Sequence, residues 1–230
     1  VSEHGLVLAF ALFVRNASRL RYEDTSYRSP PDDYGLTGAF ALVDLILAST
    51  SPARRALLDG FGLPYRAVAP GVDEVVSPTL TVEQMVATLA KRKARAVLAR
   101  FPNALVIGAD QLVSRDGSAL GKPEDAKAAA LQLRSLCGRE HDILTGVCVV
   151  SASFCKTEVD VAHLTVRNLS EAELAAYVAL GEWQGCAGGY RIEARGQALF
   201  SKIDGDRTSI QGLPMQVVIR LLLRAGVAVF

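Results

Sequence analysis

Between Ala104 and Val113 the chain reads ALVIGADQLV, an almost unbroken apolar run that carries one carboxylate, Asp110. Such a run predicts a strand in the interior of a sheet, with other elements packed over it. A carboxylate placed there is costly unless a metal or cation meets it, or it serves as a base. The rest of the chain can supply the cover. Half of its 230 residues are hydrophobic and 21% are charged, enough to build one large domain or two small ones. That balance excludes a disordered tail, a collagen-like chain and a coiled coil.

A second short apolar run, Leu45-Ile46-Leu47-Ala48, reads as another buried strand and leads into Ser49-Thr50-Ser51-Pro52. Ser51 can cap a helix whose first position is Pro52, where a missing N–H costs nothing, and Gly60 and Gly62 are expected to stop it. Free backbone N–H groups, the helix dipole and the Arg54-Arg55 pair then form an anion site suited to phosphates. A solvated arginine pair on an ordinary capped helix would have the same sequence. The next helix is predicted over Val82 to Arg100, opened by Thr81. Val86, Leu89, Ala90 and Val97 make its apolar stripe, and Lys93 falls inside that stripe. A lysine there either snorkels to the rim or meets an anion. Lys91, Arg92 and Arg95 read as solvated charges.

Around the Asp110 strand, Arg115-Asp116-Gly117 is a turn, and Gly121-Lys122-Pro123 returns a lysine beside the strand in a hairpin-like excursion. Asp110 with Lys122 reads as a carboxylate and cation facing one phosphate-sized cavity, or as a structural ion pair. Asp73-Glu74, in a loop after Pro70-Gly71, could hold a divalent ion through oxygen, or simply be solvated. Further on, a helix is expected over Ala126–Leu136 and strands over Ile143–Phe154 and His163–Leu169. Ser170-Glu171-Ala172-Glu173 is a capping box for a helix to Leu180. Strand pieces are expected at Tyr190–Glu193 and Gln197–Phe200, and a last helix over Met215–Arg224. The pattern is mixed α/β with antiparallel pairs and no internal repeat.

Residues 1–42 are expected to be an appendage, with a short helix and little order after it, and residues 43–230 the domain. The apolar run Leu6–Val14 is too short to span a bilayer and has no Lys or Arg before it, although an export signal is the alternative reading. Lys plus Arg number 25 against 24 Asp plus Glu, a net charge of +1. No bulk charge is therefore available for nucleic acid or an anionic membrane, and an anionic ligand needs a local cluster of cations. Four cysteines without a C-x-x-C pair and three histidines argue against a zinc site or disulfide framework, and for reduced thiols in the cytoplasm.

Seven runs, LILASTSPARRALL, GVDE, KRKARAV, IGADQLV, GKP, GREHDILTGV and IQGLP, stand in the order and near the spacing of the Maf-type nucleotide pyrophosphatases. The chain resembles that family from about Leu45 to Gly226. The resemblance implies a mixed α/β fold with a long bent sheet, flanking helices and a deep cleft, related to the inosine-triphosphate pyrophosphatases. It implies hydrolysis of nucleoside triphosphates between the α and β phosphates with Mg²⁺ or Mn²⁺. The positions carried over are Ser49, Ser51, Arg54, Glu74, Lys93, Asp110 and Lys122. Ser51 and Arg54 would hold phosphate oxygens, and Lys93 and Lys122 would neutralise the leaving pyrophosphate. Glu74 and Asp110 would hold metal or activate water, with the base role assigned to Asp110.

One branch of the family, preferring thymidine and uridine triphosphates, carries Arg, Thr and Gln at three base-selecting positions; a branch resembling 7-methyl-GTP pyrophosphatases carries Trp, Gln and Glu. This chain has Ala53, Gln111 and Glu193, two of three in favour of 7-methyl-GTP. A carboxylate at Glu193 suits the N–H donors of a guanine edge, while the missing bulk at Ala53 predicts a broader substrate range. The alternatives are a dTTP/UTP-preferring enzyme of the same family, or a non-hydrolysing nucleotide binder that regulates cell division. The partner expected is the nucleotide alone, without nucleic acid or membrane, and with a homodimer allowed.

Overall fold

A computed structural model describes residues 43–230; the expectations for residues 1–42 lie outside the described residues. Seven strands form one sheet in the order β2-β1-β3-β5-β6-β7, with β4 paired to β3. These are β1 (Leu45–Leu47), β2 (Arg66–Ala67), β3 (Leu105–Arg115), β4 (Ser118–Leu120), β5 (Glu140–Val150), β6 (Cys155–Val166) and β7 (Phe200–Asp204). β1 pairs parallel with β2 and β3, and the remaining pairs are antiparallel. The helices are α1 (Pro52–Phe61), α2 (Val82–Arg100), α3 (Ala126–Leu136), α4 (Glu171–Ala179), α5 (Arg207–Ile210) and α6 (Met215–Arg224). The mixed α/β class read from the sequence is the class observed.

β3 is the interior strand that its apolar content demands, and its alternation sorts the layers. Leu105, Ile107 and Ala109 pack with Leu58 of α1 and Val218, Leu221 and Leu222 of α6. Val106 on the opposite face packs with Ala90, Ala94 and Val97 of α2. Two glycines let α2 lie directly on that face. A Cβ at Gly108 would stand 2.3 Å from the Ala90 carbonyl oxygen, and one at Gly146 2.6 Å from that of Val86. Gly146 is the β5 partner of Asp110, so the closest helix–sheet approach surrounds the buried carboxylate.

The helix starts follow their sequence signals. Ser51 and Thr81 cap α1 and α2, and both Thr81 and Ser170 complete capping boxes. Gly62, with φ of 81°, ends α1, while Gly60 lies inside the helix rather than stopping it. Asp116 and Gly117 both have positive φ, the backbone of a two-residue turn between β3 and β4. Four strand expectations are corrected. β5 ends at Val150 rather than Phe154, and β6 begins at Cys155 rather than His163, ending at Val166. Tyr190–Glu193 is not strand but extended chain and turn, and Arg195–Leu199 is a 3₁₀ turn. Side chains hold that stretch instead of a ladder: the Arg191 N–H donates to the Tyr177 hydroxyl, and the Arg195 and Gly196 N–H groups donate to Glu182. No helix among the described residues is long and apolar enough to cross a membrane.

Candidate active site

The register of β3 leaves a gap. Leu105–Ile107 pair with β1 and Val113–Arg115 with β4 on the same edge, so neither strand covers Gly108–Leu112 there. Asp110 and Gln111 sit in that gap. The end of β1, with Ser49 and the capped start of α1, flanks one side; Lys122, exposed just after β4, follows the other. Because Asp110 and Gln111 are adjacent in a strand, they face opposite sides of the sheet, and each gathers its own set of partners.

On the α2 side, Lys93 Nζ lies 2.5 Å from Asp110 Oδ1 and 2.7 Å from Glu74 Oε1. Lys93 and Asp110 side chains are each 8% exposed, whereas Glu74 is 64% exposed and reaches in from its loop. The lysine on the apolar stripe therefore meets carboxylates rather than snorkelling away, and Asp110 pairs directly with Lys93 rather than with Lys122. The charges of Lys122 and Arg54 nevertheless reach Glu74. On the other side, Arg54 Nε donates to the Gly212 carbonyl at 2.8 Å, and its Nη1 lies 3.5 Å from Ser49 Oγ. Ser49 Oγ accepts from the Ser51 N–H, and Ser51 Oγ from the Arg54 N–H. Gln111 Nε2 donates to the carbonyls of Ser209 and Ile210 at 2.7 and 3.2 Å and to Thr145 Oγ1 at 3.0 Å. Its amide nitrogen is thus occupied by protein acceptors.

The electrostatics separate the two carboxylates. The Lys93 hydrogen bond holds Glu74 below its ordinary range, with the charges of Lys93, Lys122 and Arg54 adding to it against a smaller burial effect. Burial pushes Asp110 above its ordinary value, outweighing the Lys93 hydrogen bond and the charges of Lys93 and Arg54. Neighbouring carboxylates pushed apart in this way differ in basicity: Glu74 is the weaker base and Asp110 the stronger. Burial also lowers Arg54, opposed by the charges of Asp110 and Glu74; a guanidinium remains charged there all the same.

Among the described residues no group of three or more His, Cys, Asp or Glu could enclose a metal ion. Two carboxylates converging on one ammonium fit a different requirement. Mg²⁺ is commonly held by one or two carboxylates together with substrate phosphates, and Glu74 with Asp110 supplies that number.

The structure thus assembles Ser49, Ser51, Arg54, Glu74, Lys93, Asp110 and Gln111 about the gap. Ala53 lies in the first turn of α1, half-buried, and Glu193 lies exposed in the turn before the 3₁₀ turn Arg195–Leu199. Two features escape the sequence reading. Gly212, with φ of 101°, supplies the carbonyl that orients Arg54, and Thr145, fully buried, braces Gln111 while donating to the Ser209 carbonyl. A third residue is corrected: Arg92 is not simply solvated, for its Nη1 donates to the carbonyls of Asp73 and Val75.

The family model described as Maf-like protein matches residues 44–225. A protein of Bacillus velezensis named dTTP/UTP pyrophosphatase is 42% identical over 178 residues, covering 77% of this chain and 94% of its own length. One of Albidiferax ferrireducens named 7-methyl-GTP pyrophosphatase is 41% identical over 188 residues, covering 80% of this chain and 94% of its own. Among solved structures, the Staphylococcus aureus Ham1 protein aligns with a TM-score of 0.39 at 15% identity, over 54% of this chain and 71% of that one. At that level of likeness the fold class stands on the sheet described above.

Proposed function

The chain belongs to the Maf-like protein family, and from that premise we propose that it is a nucleoside triphosphate pyrophosphatase acting through the gap in β3, on 7-methyl-GTP or related nucleotides. The observation that carries the reading is the convergence of Glu74 and Asp110 on buried Lys93, beside a capped helix start that holds Arg54.

The chemistry follows from what each group can do. The N–H groups at the start of α1, the Ser49 and Ser51 hydroxyls and Arg54 bind phosphate oxygens. Asp110 takes a proton from a water as its oxygen bonds to the α-phosphorus; the bond from that phosphorus to the bridging oxygen breaks, and pyrophosphate leaves with the electron pair. Lys93 and Lys122 neutralise charge gathering on the leaving group, so positioning and electrostatics supply most of the rate. A divalent ion, Mg²⁺ or Mn²⁺, held by Glu74 and Asp110 with the phosphates, would add Lewis-acid charge stabilisation.

Base choice rests on Gln111 and Glu193. The Gln111 amide nitrogen is already bonded to protein acceptors, which leaves its oxygen to accept from a base. Two acceptors suit the N1–H and N2–H₂ donors of guanine. A second reading, dTTP and UTP as substrates, is favoured by relatives such as the Bacillus velezensis protein. The test is pyrophosphate release from 7-methyl-GTP, GTP, UTP, CTP and dTTP with Mg²⁺ or Mn²⁺. The highest kcat/KM on 7-methyl-GTP supports the first reading, the highest on UTP or dTTP the second, and no release from any supports a non-hydrolysing binder.

A further inference from the structure

We infer that Arg92 is a positioning residue for the proposed hydrolysis, holding the loop that delivers Glu74 to Lys93. The inference rests on the reading of the site given above and adds a residue that neither the family resemblance nor the spacing of charges assigns.

The loop has little else to fix it. Among the described residues, no backbone–backbone hydrogen bond ties residues 69–76. Asp73, Glu74 and Val75 are all exposed, Val75 to 72%, and the flanking Val72 and Val76 are only half-buried, so apolar burial does little to anchor the turn that carries Glu74. The ties come from side chains. Arg92 Nη1 donates to the Asp73 carbonyl at 2.8 Å and to the Val75 carbonyl at 2.7 Å, gripping the backbone immediately before and after Glu74. The Val75 N–H donates to Asp73 Oδ1 at 2.9 Å, closing the turn between those carbonyls. Arg100, eight residues further along α2, donates to the Ala69 carbonyl at 2.9 Å and holds the loop's start.

The geometry makes the link direct. Arg92 and Lys93 are neighbours on one rigid helix, so the group gripping the loop and the group receiving Glu74 are fixed to each other. Without the grip, Glu74 would have to order the loop itself, at the conformational entropy cost of several residues, each time the site assembles. Charge-assisted bonds to two carbonyls from one planar guanidinium carry out that ordering beforehand.

The test uses the full chain with Arg92→Ala and Arg92→Lys, each also in a Glu74→Gln background, together with peptide-resolved amide exchange. Arg92→Ala is expected to speed exchange of the Val75 N–H, which donates to Asp73 Oδ1 in the gripped turn, by roughly tenfold or more while exchange in the β3 core stays unchanged. Its kcat/KM for pyrophosphate release should fall by about tenfold with Glu74 present and show no further fall in the Glu74→Gln background, since a residue acting through Glu74 has nothing left to act on. Arg92→Lys, which keeps a donor and charge, should recover part of both. Unchanged loop exchange overturns the proposal, as does an equal activity loss in both backgrounds. Wild-type protein releasing no pyrophosphate overturns the reading of the site itself, an outcome visible before any variant is made.

Discussion

Replacing Gly108 by alanine should uncouple the helix that carries Lys93 from the strand that carries Asp110. The added Cβ would stand 2.3 Å from the Ala90 carbonyl oxygen, 2.7 Å from the Ala94 nitrogen and 2.8 Å from the Ala94 Cβ. The first two are helix backbone, so no side-chain rotation relieves the contact, and α2 must lift by about 1 Å, the scale of misplacement that costs roughly 10²-fold in rate. Lys93 lies between those two residues on the helix, so its ammonium moves with them. Gly108 does not have a positive φ, so the penalty is steric, of the overpacking kind, about 1–3 kcal/mol. In a domain of this size that lowers Tm by roughly 2–12 °C. The assay is a thermal melt together with kcat/KM for pyrophosphate release, measured well below both transitions. Gly60→Ala is the control: a Cβ there meets nothing within 4 Å, and its position inside α1 predicts a gain of about 0.5–1 kcal/mol. Gly108→Ala at wild-type activity with a lowered Tm would refute the coupling, and no change in either would refute the close approach.

Three further outcomes are expected. Asp110 works as a base only when ionised, and burial raises it, so the acid limb of kcat/KM should lie above the position of an unperturbed aspartate; a limb at or below that position would move the base role elsewhere. His141, 2% exposed with Nε2 2.7 Å from the Tyr190 hydroxyl and Nδ1 without a partner, is pushed down by burial from 6.5 to about 4. The unfolded chain then binds its proton first, so stability should fall as pH drops from 6.5 towards 4, by about 3 kcal/mol across the window; denaturant midpoints of His141→Gln should lose that slope. Glu193→Gln places a donor where guanine donors are expected and should cost 7-methyl-GTP about 1–3 kcal/mol in relative kcat/KM against UTP; equal losses on both would remove Glu193 from base reading.

What the sequence made legible was what local chemistry decides. Ser51-Pro52, Thr81 and the Ser170 capping box place helix starts because caps are short-range, and the apolar stripe of α2 alone puts Lys93 on the buried face, whatever its partner. Asp110 stood out because a lone carboxylate in an apolar strand demands a counter-charge. The first half of β6 escaped because Cys155–Asp160 is exposed or half-buried throughout and has no apolar alternation to announce it. Tyr190–Leu199 carries strand-like residues, yet Gly188 and Gly189 at positive φ and backbone N–H bonds donated to Tyr177 and Glu182 turn it aside. Arg92 escaped for a related reason: its partners are backbone carbonyls 17 and 19 residues away, and no spacing of side chains encodes them.

In the proposed reaction Asp110 activates water against the α-phosphorus of a nucleoside triphosphate. The most direct measurement is the products formed from 7-methyl-GTP and UTP with Mg²⁺, resolved by chromatography for wild type and Asp110→Asn. Wild type should give monophosphate and pyrophosphate in equal amounts, and the variant a rate lower by roughly 10²-fold or more with nucleotide binding retained. Nucleoside diphosphate with orthophosphate as products, or an Asp110→Asn variant within a few-fold of wild type, would contradict it.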